Sequence, residues 1–253
     1  MPLAVRPLRS APLKGCTMAD RAVVLAAGRG TRLGELTSST PKPLLDVGGK
    51  PIIEHIVDGI ASTGIYEAAV VTGYMADQIE DAVWGMAGMS IEFIRQAKPY
   101  GTGAALALAS DFTQGQRFFF TWGDILVHPS NYEAVLGSAS WADAVIAVNH
   151  VDDPADGAAV YVDEDLIVTQ IIEKPAPGTV ATNWNNAGFG VLGASVFDAI
   201  ASLEPSPRGE IELPDALRAM IDGGGKVLAV PVQGAWFDIG TPAALAAARS
   251  HYR

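Results

Sequence analysis

An α/β fold built on a doubly wound, mixed but mostly parallel sheet, with a smaller antiparallel part in its second half, is the class this sequence predicts. Three observations carry that prediction. Short apolar runs alternate with segments of helical period from residue 18 to about residue 140. A glycine-rich loop follows the first run at once. Beyond about residue 140 the runs crowd together and are divided by turn residues rather than helices. One domain over 18–253 follows, with halves at about 18–140 and 141–253. Residues 1–17 stand apart: Arg6, Arg9 and Lys14 are their only charges, prolines sit at positions 2, 7 and 12, and nothing is periodic. A disordered leader is expected there, or an upstream start ahead of Met18.

The elements read off in order. Ala22–Ala27 (AVVLAA) is a buried strand. Pro51 suits a first helical turn, and Ile52, Ile53, Ile56, Val57 and Ile60 then recur at helical spacing. Glu67–Thr72 is the second strand, Tyr74–Trp84 a helix, Ser90–Arg95 the third strand, Thr102–Ser110 a helix and Arg117–Trp122 the fourth strand. In the second half Asp143–Asn149, Ala158–Asp163 and Ile167–Glu173 read as strands, parted by the turn-rich Asp152–Gly157 and the corner Asp163–Asp165. Gly188–Leu192 adds a strand, Glu212–Asp222 a helix that Gly223–Gly225 stops, and Lys226–Val232 a further strand. The strands of this half are expected to pair antiparallel.

Composition narrows the function. Lys and Arg number 17 against 28 Asp and Glu, a net charge of −11 over 253 residues, so a phosphate polymer would be repelled and nucleic acid is excluded as a partner. Charged residues interrupt every long apolar segment, so no membrane span is expected. The single Cys16 forms no internal disulfide, which points to a reducing, cytoplasmic setting. The four histidines show no ligand spacing, and His55, on a helix among core isoleucines, reads as structural.

The chemistry is carried by the loop after the first strand, Gly28-Arg29-Gly30-Thr31-Arg32-Leu33. Its paired glycines allow successive backbone N–H groups to cradle a phosphate. Arg29, Arg32 and then Lys42, set between Pro41 and Pro43, add several positive charges. A triphosphate that must release pyrophosphate needs such charges, whereas a dinucleotide rests on backbone and helix dipole. There is no Walker A sequence.

With Leu25-Ala26-Ala27 before that loop, Thr37 and Pro41-Lys42-Pro43-Leu44 after it, the sequence resembles the sugar-1-phosphate nucleotidylyltransferases, also called nucleotide-sugar pyrophosphorylases. Gly101-Thr102-Gly103, Gly123-Asp124, Glu173-Lys174-Pro175, Asn186-Ala187-Gly188, Gly209-Glu210 and Trp236 through Pro242 follow in family order, over about residues 20–245. The resemblance implies a Rossmann-like fold and transfer of a nucleotidyl group from an NTP to a sugar 1-phosphate. It assigns nucleotide binding to Ala26, Ala27, Gly28, Gly30, Thr31, Lys42, Gln96, Gly101 and Thr102. Sugar-phosphate binding falls to Glu173, Lys174, Asn186 and Glu210, catalysis to Arg32, Lys42 and Lys174, and a Mg²⁺ ion to Asp124 and Asp238. The Ala-Ala-Gly form is similar to that of uridylyl- and cytidylyltransferases, which favours a pyrimidine nucleotide such as UTP. The sequence leaves open a homo-oligomer, a cytidylyltransferase acting on phosphocholine, where Trp122, Trp184 and Trp236 would supply an aromatic cage, and a non-catalytic nucleotide-sugar sensor.

Overall fold

Strand β1 (Arg21–Ala26) lies in the middle of the sheet, since every side chain after Arg21 is buried, on both faces of the strand. The computed structural model describes residues 19–138 and 140–253, so the expected leader and Met18 lie outside the described residues. A small hairpin of β2 (Asp46–Val47) and β3 (Lys50–Pro51) leads into helix α1 (Ile52–Ser62). Ile52, Ile53, Ile56, Val57 and Ile60, which the spacing put on one face, are all buried. Each such side chain removed from water contributes about 1.5–3 kcal/mol. β4 (Glu67–Thr72), α2 (Ala76–Val83), β5 (Ser90–Arg95), α3 (Thr102–Ala107), a single turn α4 (Ser110–Thr113) and β6 (Phe118–Trp122) complete the first half.

The order β5-β4-β1-β6 is parallel throughout. The chain is laid to one side of β1 and then to the other, which opens a crevice outside the carboxyl ends of β1 and β6. The loop of paired glycines leaves β1 there, and Gly123-Asp124 leaves β6 beside it, tied by Gly123 N–H to the Leu25 carbonyl at 2.9 Å.

The second half contains β7 (Ile125–Val127), α5 (Ser130–Leu136), β8 (Ala144–His150), β9 (Ala158–Val162), β10 (Val168–Glu173), β11 (Trp184–Leu192), α6 (Ser195–Ala201), α7 (Leu213–Asp222), β12 (Val227–Pro231), β13 (Trp236–Asp238) and α8 (Pro242–His251). β11 joins the halves: along one edge Phe189–Leu192 pairs antiparallel with β6 and Asn185 with β9, while the other edge takes β8. Helices α1, α2, α5 and α8 cover one face of the sheet; α3, α6 and α7 cover the other. The doubly wound prediction therefore holds.

Two local expectations change. The strand expected at Lys226–Val232 runs parallel to β8, not antiparallel. The strand before it, β11, is antiparallel to β8, and with two helices, α6 and α7, between them the chain re-enters the sheet opposite to β11 and therefore along β8. The helix expected over Thr102–Ser110 ends at Ala107, and a separate turn begins at Ser110. The ribbon of β7 and β13 was not legible in the sequence, yet it places Asp238 opposite Ile125, next to Asp124, with Ile239 N–H on the Asp124 carbonyl at 3.0 Å.

Candidate active site

A cleft of about 470 Å³ opens at the crevice, and every residue that the sequence singled out for a site lines it. On the floor are Ala26, Ala27, Gly28, Gly30, Thr31, Arg32 and Lys42, from β1 and the loops after it. Gln96, Gly101 and Thr102, after β5, form one side. Glu173, Lys174, Asn186 and Glu210, from the second half, form the other, and Asp124 and Asp238 lie where the two meet.

Lys42 heads a short 3-10 turn set by its flanking prolines and pairs with Asp124, with only 13% and 22% of the two side chains exposed. Asp238 faces the same pair. Burial, and then the Asp124 carboxylate, push its carboxyl up to about 6, while Lys42 and Arg32 pull it back. Its Oδ1 atom is buried and has no hydrogen-bond partner among the described residues. A Cβ on Gly240 would stand 2.8 Å from Arg32 Nη2 and 3.2 Å from that oxygen, so glycine here is what admits the guanidinium beside Asp238. Two acidic groups with an orphaned buried oxygen, facing a phosphate cradle, fit a hard divalent cation that takes one or two carboxylates and completes its shell with phosphate oxygens and water. Among the described residues no group of three or more His, Cys, Asp or Glu side chains could hold such an ion without those added ligands.

On the wall from the second half Asn186 is 1% exposed; its Oδ1 accepts from Gly188 N–H at 3.0 Å, and its Nδ2 has no partner among the described residues. That leaves a buried amide donor at the cleft wall. Asn185, which sequence reasoning did not single out, uses its amide internally on Asn149, Asn186 and Ala158. Lys174 sits at φ 42, a left-handed conformation costing an L-residue on the order of 1–2 kcal/mol, and its N–H is held by the Gly157 carbonyl at 2.8 Å. Strain of this kind collects at functional sites.

Sequence reasoning missed Arg208 and Glu212. Arg208 donates to Glu212 at 2.8 Å and to Glu210 at 3.2 Å and reaches Glu173 at 3.5 Å. The signal was present as a positive charge beside Gly209-Glu210, but a lone arginine in a loop reads as solvated. Glu212 was taken as the start of a helix; it is buried at 5% exposure, and although burial pushes its carboxyl up, the bonds from Arg208 and Thr102 outweigh it and hold it below the usual range.

Glu173 behaves oppositely. Burial, then Glu212 and to a lesser degree Asp215, push it up to about 7 from an ordinary 4.5, against the pull of Lys174 and Arg208. The folded protein therefore binds a proton that the unfolded chain releases, and stability falls as pH rises from about 4.5 through 7. Glu173→Gln is expected to remove that slope and raise the melting temperature by a few degrees at pH 8 while leaving it unchanged at pH 4. Thermal melts from pH 4 to 8 check this, and an unaltered slope in the variant would contradict it.

A glycine-rich loop with clustered cations, a carboxylate pair and a facing wall of polar side chains meet at the crevice of a doubly wound sheet, where open α/β folds seat their ligands. The chain matches the family model described as "Nucleotidyl transferase" over residues 21–253, and it belongs to that family. It is 36% identical over 231 residues to the bifunctional protein GlmU of Methanococcus maripaludis strain S2, covering 91% of this chain and 54% of that one. It is 30% identical over 223 residues to a glucose-1-phosphate thymidylyltransferase of Streptomyces griseus, covering 87% and 62%. A crystal structure from Bacillus anthracis, assigned as a glucose-1-phosphate thymidylyltransferase and holding sucrose, superposes with a TM-score of 0.79 at 29% identity over 92% of this chain and 95% of that one. The chain thus spans between half and two thirds of the length of these two curated relatives. Among the described residues no helix is long and apolar enough to cross a membrane.

Proposed function

We propose that the chain transfers a nucleotidyl group from an NTP, a pyrimidine nucleotide such as UTP, to a sugar 1-phosphate, giving an NDP-sugar and pyrophosphate. The observation that carries this reading is the meeting, in one cleft, of the Gly28-to-Lys42 phosphate cradle with the Glu173, Lys174 and Asn186 wall across the Asp124 and Asp238 carboxylates. The Ala26-Ala27-Gly28 form and the thymidylyl transfer named for the Streptomyces relative both support a pyrimidine base.

In this reading Gly28, Gly30 and Thr31 seat the triphosphate, Gln96, Gly101 and Thr102 meet the base, and Arg32 and Lys42 offset the negative charge around the α-phosphate. Lys174 holds the acceptor phosphate, while Glu173, Asn186 and Glu210 orient the sugar hydroxyls. An oxygen of the sugar phosphate attacks the α-phosphorus in line, forming one P–O bond as the bond to the β-phosphate breaks and pyrophosphate leaves. The attacking group is already an anion, so the chain need supply no general base; its work is positioning and charge neutralisation. Asp124 and Asp238 would hold Mg²⁺, which when bound offsets repulsion between the two phosphate groups.

A choline-type acceptor does not find the three-ring cage: Trp122 and Trp236 line the cleft, but Trp184 does not and lies against His150. Calorimetry separates the readings. With Mg²⁺ present, UTP and glucose 1-phosphate are expected to bind and phosphocholine not. Binding of phosphocholine instead, or of UDP-glucose with no turnover in either direction, would contradict the proposal.

A further inference from the structure

Residue Glu212 occupies the position just before α7 where a side chain ordinarily caps its own helix, yet it makes no such bond. The first amide of α7, Leu213 N–H, donates instead to Thr102 Oγ1 at 3.0 Å, from the other half of the chain. In return, Glu212 Oε2 accepts from the Thr102 hydroxyl at 2.9 Å and from the Thr102 N–H, the first amide of α3, at 3.3 Å. The first amide of each helix is satisfied from the start of the other, 110 positions away for Thr102 N–H and 111 for Leu213 N–H. The seam extends through the Ile211 carbonyl, which accepts from Gly103 and Ala104, and through Ile211 N–H, which donates to Tyr100. Gly101 lies so close, at φ 97, that a Cβ would stand 2.3 Å from the Ile211 oxygen. The second carboxylate oxygen, Oε1, is reserved for Arg208 at 2.8 Å.

We infer that Glu212 is the positioning residue that couples the two substrates, fixing the nucleotide loop at Thr102 with one oxygen and the acceptor-side cation Arg208 with the other. This rests on the assignment of the cleft proposed above. A carboxylate suits the task because it accepts on both sides. Glutamine has one acceptor oxygen: turned to Arg208, its NH₂ meets only donors, and turned to Thr102 it can donate to the hydroxyl but leaves the Thr102 N–H without its acceptor, so in either orientation the coupling is weakened on one side.

The test has two readouts on the full chain. In the ligand-free protein, Glu212→Gln should speed amide hydrogen exchange together in residues 102–104 and at residue 213, by about tenfold or more. Faster exchange confined to 208–213 would overturn the seam, and this result stands whether or not the cleft uses the proposed substrates. In kinetics with the most active nucleotide and sugar 1-phosphate, Thr102→Val should raise the nucleotide KM alone and Arg208→Ala the sugar-phosphate KM alone. Glu212→Gln should raise both, by about tenfold each, with kcat changed less. Thr102→Ser, which keeps the hydroxyl, should retain the wild-type nucleotide KM. The effects of Glu212→Gln and Thr102→Val on the nucleotide KM should be non-additive in the double variant. Additive effects, or a Glu212→Gln protein that melts lower with both KM values intact, would reduce Glu212 to a structural cap and overturn the coupling. Absence of turnover by the wild-type protein with every pair would instead remove the functional reading.

Discussion

Asp238→Asn is expected to lower kcat about a thousandfold while the melting temperature holds or rises. The carboxylate faces Asp124 in a buried site, where burial and repulsion together outweigh the attraction of Lys42 and Arg32. Asparagine removes that net penalty at equal size, so the fold loses little. What it removes is a ligand for the ion that sets the two phosphates together, and a loss of about 4 kcal/mol in the transition state corresponds to about three factors of ten. Asp124→Asn should lower kcat by a similar factor with the opposite effect on stability, because it leaves the largely buried Lys42 without its partner. EDTA should abolish wild-type activity until Mg²⁺ is restored. Either variant retaining more than about a tenth of wild-type kcat at saturating Mg²⁺ would make that aspartate a turn residue.

Lys42→Ala is expected to reduce kcat/KM for the nucleotide about a hundredfold and to lower the melting temperature. Its ammonium group is the cation paired with Asp124 and, with Arg32, draws the Asp238 carboxyl downward, so alanine leaves two largely buried carboxylates facing each other with Arg32 alone to offset them. Lys174→Ala should act on the other substrate, raising the sugar-phosphate KM about tenfold with the nucleotide KM nearly unchanged. Its effect on stability should be small, since Lys174 is 47% exposed and its ion pair with Glu173 is long at 3.8 Å. Steady-state kinetics with each substrate varied in turn checks the split. Equal changes in both KM values for both variants would contradict the assignment of sides.

Strands β1, β4 and β6 and helix α1 were legible because burial on both faces leaves continuous apolar runs and burial of one helical face leaves a period, and both survive in a linear reading. The cleft was legible through its motifs, and each residue to which they gave a catalytic, binding or metal role lines it. What escaped was long-range. The β7 and β13 ribbon consists of two three-residue strands that are marginal alone and exist only through each other. Pairing of Asp124 with Asp238 depends on that ribbon, so the sequence could nominate both aspartates but not show that they meet. Glu212 was hidden for a related reason: an acidic residue before a helix has an ordinary explanation, and nothing local indicates that its bonds are made to Thr102 and Arg208. The parallel placement of β12 likewise depends on where the helices before it pack, not on its own residues.

Turnover by the purified chain tests the central claim most directly. ATP, CTP, GTP, UTP and dTTP would each be combined with glucose, N-acetylglucosamine, galactose and mannose 1-phosphates in the presence of Mg²⁺, with pyrophosphate and nucleotide sugar both quantified. The account predicts that at least one pyrimidine nucleotide and one sugar 1-phosphate yield pyrophosphate and NDP-sugar in equal amounts, and that the purified NDP-sugar with added pyrophosphate regenerates the NTP. Pyrophosphate released without nucleotide sugar, or no release from any pair while a nucleotide sugar still binds, would contradict it.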